Sequence, residues 1–145
     1  MPDADDFRSL FEFLPIGAYR SRPDGTQVRA NPALVRLNGY DSEEEMLAAV
    51  RDIAHEWYVD PARRALFVQQ LERDGQVTGF ESEVWRHRTR ERVWVSENAH
   101  IVRDAAGQVR FFEGTVEEIT ERVRERQALR RSQLQLQQVF ELVPG

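Results

Sequence analysis

Reactive side chains are sparse in this sequence, and their types bound its chemistry first. There is no Cys, which removes thiolate nucleophiles, disulfides and thiolate zinc sites. Every basic residue is Arg, so no lysine is available as a nucleophile or Schiff base. His55, His87 and His100 are the only histidines, and none lies close enough to another to form a local metal motif. No nucleophile stands at readable spacing from a base, and no Gly-rich loop could cradle a phosphate. The chain is therefore expected not to be an enzyme on its own.

The remaining polar residues read first as structure. Asn31 precedes Pro32 and suits a helix N-cap. Asp24, Asp60 and Asp104 sit at turns or caps. The acidic run Glu43 to Glu45 complements the dipole at a helix start. Trp57, Trp85 and Trp94 could stack on a planar ligand, but large aromatics in a small domain more often serve core or interface. A net charge of -5 argues against binding to nucleic acid or anionic membrane. No apolar run approaches the ~20 residues that cross a bilayer. The acidic segment Met1 to Asp6 lacks the basic region of a secretory signal and is expected to be disordered, and the protein cytoplasmic.

These residues must be held by elements that alternate in a definite order. Asp6 to Leu14 has Phe7, Leu10, Phe11 and Leu14 at helical spacing, and Pro15 ends the run. Gly17 to Ser21 and Thr26 to Ala30 form a hairpin around Pro23-Asp24-Gly25. Asn31-Pro32, Ser42 with Glu45, and Asp60-Pro61 each open a short helix, and Gly39 and Gly75 close the first and third. The third carries Leu66, Phe67, Val68 and Leu71. Thr78 to Arg88, Arg92 to Arg103 and Val109 to Val116 are rich in Val, Trp, Phe and Thr, which predicts an antiparallel meander. The fold class is α+β: one five-stranded antiparallel sheet with short helices on one face.

From Ile119 the pattern is helical without Gly or Pro until the chain's end, and Leu129, Leu136 and Val143 recur every seven residues. This predicts either a two-chain coiled coil or a single solvated helix. Phe140-Glu141-Leu142-Val143-Pro144 also echoes Phe11-Glu12-Phe13-Leu14-Pro15, as the beginning of a second module would. The expected division is 1–6 disordered, 7–118 one folded domain, 119–139 helical linker and 140–145 the start of the repeat.

The ordered set NPALVRLNGY (Asn31 to Tyr40), DSEEEML, FESEVW, RVWV, VRDAAGQVRFFEG and EEITERVRER resembles a PAS sensory domain over residues 7–126. Glu118-Ile119-Thr120 resembles the Asp-Ile-Thr motif that ends many such domains and starts their output helix, with Glu in place of Asp. Arg88-Thr89-Arg90-Glu91 replaces the family's usual Lys-Asp-Gly turn, so this turn is expected to be wider. The resemblance implies a curved sheet around a pocket roofed by the central helices. It implies a soluble signalling protein such as a sensor histidine kinase, nucleotide cyclase or phosphodiesterase, whose effector and further PAS domain are covalently linked. Homodimerisation through the terminal helices is expected.

On that architecture the pocket candidates are Leu34, Leu37, Ile53, Phe67, Leu71, Val95 and Phe112, with Tyr19 and Asn98 as polar partners. Register decides the role of the Trp94 strand. Either Val93, Val95, Ala99 and Ile101 face inward, or Ser96 and Asn98 do. No cofactor is expected. Haem is disfavoured because the central helix lacks His, cysteinyl-flavin chemistry is excluded without Cys, and a redox flavin stays open. Two functions compete: ligand sensing, or a ligand-free dimerisation and relay element. A polar group among apolar inward residues would favour sensing.

Overall fold

A computed structural model describes residues 4–142. The N-terminal helix α1 (Ala4–Phe13) leads into the hairpin β1 (Gly17–Ser21) and β2 (Gln27–Ala30). Four helices follow: α2 (Pro32–Leu37), α3 (Glu43–Ala49), α4 (Ile53–Glu56) and α5 (Ala62–Asp74). The chain then returns through β3 (Gln76–Trp85), β4 (Arg92–Arg103) and β5 (Val109–Glu118) and leaves through α6 (Thr120–Leu142). All strands join one antiparallel sheet in the order β2-β1-β5-β4-β3. The hairpin thus docks its β1 edge on β5, and the meander stays consecutive. Among the described residues no helix is long and apolar enough to cross a membrane.

Caps fix the helices where the sequence signals them. Asn31 Oδ1 accepts from Leu34 N at 3.0 Å and from Ala18 N at 2.8 Å, while its amide donates to the carbonyls of Phe11 and Ile16. One fully buried side chain therefore joins α1, β1 and α2. Ser42 Oγ accepts from Glu45 N at 3.1 Å at the start of α3. Gly75 ends α5 at φ 77°, a left-handed conformation that favours glycine.

Some expected boundaries shift. The helix α1 begins at Ala4 instead of Asp6. The strand β3 stops at Trp85, because Arg86 to Glu91 form the turn to β4. Arg86 N donates to Glu91 O at 2.7 Å and Arg90 takes φ 62°, so the turn is the wide one expected. Leu66 is exposed on α5, whereas Phe67 and Leu71 are buried, because a helix with one sheet beneath it buries a single stripe. Near its start, β3 bulges between Val77 and Phe80, where Gly79 sits at φ 64°.

Two apolar clusters fill the space between the helices and the sheet. One gathers Leu34, Val35, Met46, Val50, Ile53, Trp57 and Tyr58 over Tyr19, Val84, Val93, Val95 and Val116. The other packs Phe67 and Leu71 on Val77, Phe80, Ala99 and Phe112. The opposite sheet face carries α1, whose Leu10 and Phe11, with Leu14 just beyond the helix, line a groove of about 930 Å³ with Asn98, His100, Glu113 and Thr115.

Candidate functional site

The alternation of β4 places the chemistry. Val93, Val95 and Ala99 face the helices, and Glu97 lies in the same phase. Glu97 is a carboxyl with 1% of its surface exposed, midway along β4. Two hydroxyls meet it: Tyr58 donates to Oε1 at 2.6 Å and Tyr19 donates to Oε2 at 3.1 Å. Tyr19 comes from β1 and Tyr58 from the segment after α4, which forms an isolated bridge to Val84. The cluster thus ties together β1, β4 and the helical roof.

These groups line a partly open cavity of about 30 Å³, with Gln27, Leu34, Asn38, Met46, Val50, Ile53, Trp57, Arg64 and Val116. A water needs roughly 10–15 Å³ by the same measure, so the space holds about two. Trp57 is oriented by its indole N–H, which donates to Asn38 Oδ1 at 3.1 Å. Arg64, on the first turn of α5, is 7% exposed. Its guanidinium lies 5.6 Å from the ring centroids of both Phe67 and Phe112, and Nη2 has no hydrogen-bond partner.

Burial dominates the electrostatics. Desolvation pushes the Glu97 carboxyl above its ordinary range, against the hydrogen bond from Tyr58, the field of Arg64 and the hydrogen bond from Tyr19. Desolvation, and next the Glu97 charge, raise Tyr19 and Tyr58 well above the usual phenol range, so both hydroxyls remain donors. The cluster combines a carboxyl held toward its neutral form with a buried cation that lacks an acceptor.

Of the residues expected at a pocket, Tyr19, Leu34 and Ile53 line the cavity. Leu37 and Val95 pack in the cluster around it, and Phe67, Leu71 and Phe112 form the neighbouring cluster beyond Arg64. Asn98 is placed differently: it lies on the outer face, where Oδ1 accepts from Gly79 N at 2.9 Å across the β3 bulge. Strand alternation gives the cause, since Glu97 inward forces Asn98 outward. Glu97, Tyr58, Trp57 and Arg64 were not anticipated in the cavity. The signal for Glu97 is legible in Val93-x-Val95-x-Glu97-x-Ala99, a carboxylate in phase with an apolar face. Arg64 precedes Phe67 and Leu71 by three and seven residues and so shares their helical stripe.

The same strand holds the start of α6. Ile119 N donates to Trp94 O at 2.8 Å, and Trp94 N donates to Thr120 Oγ1 at 3.0 Å. The Thr120 hydroxyl thus accepts from β4 and ties the first residue of α6 to that strand. Glu118 pairs with Arg86 at 2.9 Å, and Arg126 with Glu81 at 2.8 Å, so the first turns of α6 lie against the sheet. Farther along, Leu129 and Leu136 are exposed, and Val143 lies outside the described residues.

Neither a family model nor a curated protein sequence matches this chain. Solved structures do match. A PAS domain from Colwellia psychrerythraea superposes with a TM-score of 0.67 at 18% identity, covering 81% of this chain and 97% of that one. The chain has the PAS fold. A domain of a sensory box histidine kinase/response regulator from Geobacter sulfurreducens gives 0.61 at 23% identity, over 79% of this chain and 92% of its own. An RNA-binding light-oxygen-voltage receptor gives 0.73 at 22% identity, with 99% of this chain aligned to 42% of that one. At such identities the likeness is one of fold. The PAS cup accounts for the curved sheet, the helical roof and the helix leaving β5.

Proposed function

We propose that this PAS domain is a sensory module whose inner cavity takes a small molecule and whose β4 strand relays occupancy to α6. One observation carries the reading: a buried carboxyl–tyrosine cluster and an Arg64 Nη2 without a hydrogen-bond partner among the described residues stand in a cavity whose wall also holds Leu34, Met46, Val50, Ile53 and Val116. A core that served packing alone would have no use for them, since buried polar groups without partners are costly. Glu97 is three residues from Trp94, whose backbone anchors Ile119 and Thr120. A ligand that moves Glu97 therefore acts on the strand that anchors the output helix. Glu118, Ile119 and Thr120 form the transmission segment in this reading. Leu129 and Leu136 pair two chains, and a covalently linked effector reads the helix in a cytoplasmic signalling protein. PAS domains in sensor histidine kinases support the coupling to an effector.

Thermal unfolding of the purified chain against a set of small metabolites tests the sensing step. At a hundredfold excess over Kd, binding adds about 2.7 kcal/mol, or roughly 5–10 °C in Tm for a chain of this size. No stabilising compound in a broad set, together with a native mass free of small molecules, would overturn the sensing step. The small size of the cavity favours a second reading, a relay that holds only water. Analytical ultracentrifugation of Leu136→Glu addresses the pairing shared by both readings. A dimer that becomes monomeric supports it, and an unchanged dimer places the interface elsewhere.

A further inference from the structure

Resting on the sensing reading, we propose that the cavity recognises a short carboxylic acid, its carboxylate held by Arg64 and its hydrocarbon end by Leu34, Val50 and Ile53. Arg64 is the reason. Its Nη2 is buried and has no hydrogen-bond partner among the described residues. The rings of Phe67 and Phe112 offer a cation–π field but no acceptor atom. A guanidinium carries five N–H donors in a planar fork, and buried donors require acceptors. Glu97 does not fill the role. Both its oxygens are engaged by Tyr58 and Tyr19, and burial holds it toward the neutral form.

The rest of the wall selects the remainder of the ligand. Leu34, Met46, Val50, Ile53 and Val116 are apolar, and Asn38 Oδ1 on the same wall is already engaged by the Trp57 indole and the His87 amide; Gln27 is the other polar side chain there, so most of the wall favours a molecule that is apolar away from its head group. The fork geometry matches a planar carboxylate. One buried cation balances one negative charge; a phosphate dianion would bring a second charge with no cation to meet it. The cavity of about 30 Å³, room for about two waters, takes a carboxylate head group as it stands and must widen to seat a short hydrocarbon chain; a nucleotide or a fused-ring cofactor would demand a far larger rearrangement.

The test uses the full chain and three isosteric probes, butyrate, butyramide and butanol, titrated by calorimetry and by amide-resolved NMR. Butyrate is expected to bind about tenfold or more tightly than either neutral probe, with shifts at Tyr58, Glu97 and the Trp57 indole. Arg64→Gln is expected to abolish that preference, and Arg64→Lys to retain part of it. Should Arg64→Gln fail to fold, the wild-type ranking of the three probes decides alone. Neutral probes binding as tightly as butyrate would overturn the inference while leaving a sensing cavity in place. A butyrate preference that survives in folded Arg64→Gln would overturn it equally. Absence of binding by every carboxylate from formate to hexanoate would also overturn it, and only failure of all other compound classes as well would remove the sensing reading.

Discussion

Replacing Glu97 with Gln separates the hydrogen bonds of the cluster from its charge. Gln keeps an acceptor for the Tyr58 hydroxyl, now at 2.6 Å, and its amide can donate to the Tyr19 oxygen, now at 3.1 Å. What it loses is an ionisable group with 1% exposure. Burial raises the Glu97 pKa above its value in the unfolded chain, so the folded state binds this proton more tightly. Its contribution to stability is complete below the ordinary carboxyl range and falls as pH rises through the higher folded value. Glu97→Gln should therefore match the wild type in acid and exceed it increasingly as pH rises, levelling off once the carboxyl is ionised in both states. Glu97→Ala should behave oppositely. It strands two buried hydroxyls, each costing about 1–3 kcal/mol, and should be roughly 2–6 kcal/mol less stable throughout. Urea unfolding followed by tryptophan fluorescence, from about pH 5 to about pH 9, measures both. If the gap between Glu97→Gln and wild type shrinks with rising pH, Glu97 is ionised and held by Arg64, and the reasoning fails.

Three further substitutions probe the frame around the site. Asn31→Ala removes the cap of α2 and the bonds to Ala18, Phe11 and Ile16, and should cost about 2–4 kcal/mol in urea unfolding. A loss below about 0.5 kcal/mol would contradict that network. Gly114→Ala would place a Cβ 2.3 Å from the Asn98 carbonyl oxygen and 2.9 Å from Ala99 Cβ, so β4 and β5 must part. A cost of about 1–3 kcal/mol or more is expected, and a neutral effect would contradict the close approach of the strands. Glu56 sits below its ordinary pKa: burial opposes ionisation, but the hydrogen bond with His87 and those from the Arg51 and Asp52 amides outweigh it. Its contribution is present above the ordinary carboxyl range and is lost as pH falls through the depressed value, so Glu56→Gln should flatten the acid limb of the stability curve. An unchanged acid limb would exclude this link.

Local signals made most of the fold legible. Asn31-Pro32, Ser42 with Glu45, and Gly75 fixed helix ends because capping depends on neighbours in sequence. The β-rich meander was visible from composition alone. The short helix α4 was not, because four residues cannot display a period. The site was half legible for a different reason. Tyr19, Leu34 and Ile53 announce themselves as inward apolar or aromatic residues, but Glu97 and Arg64 are charged types normally found on surfaces. Only the pairing of Glu97 with Tyr58 and Tyr19, from elements distant in sequence, makes its burial tolerable. Thr120 illustrates the same limit: its hydroxyl suits a cap locally, yet the partner comes from β4.

Amide-resolved NMR of the full chain with defined short carboxylates, alcohols, amides and other small metabolites tests the central claim most directly. The account predicts at least one compound that shifts the amides of Tyr58 and Glu97 together with those of Ile119 to Val123, and leaves the outer-face amides of His100 and Glu113 in place. Compounds that shift the cavity amides but never those of Ile119 to Val123 would contradict the relay through β4. A set in which nothing shifts the cavity amides would contradict sensing in this pocket.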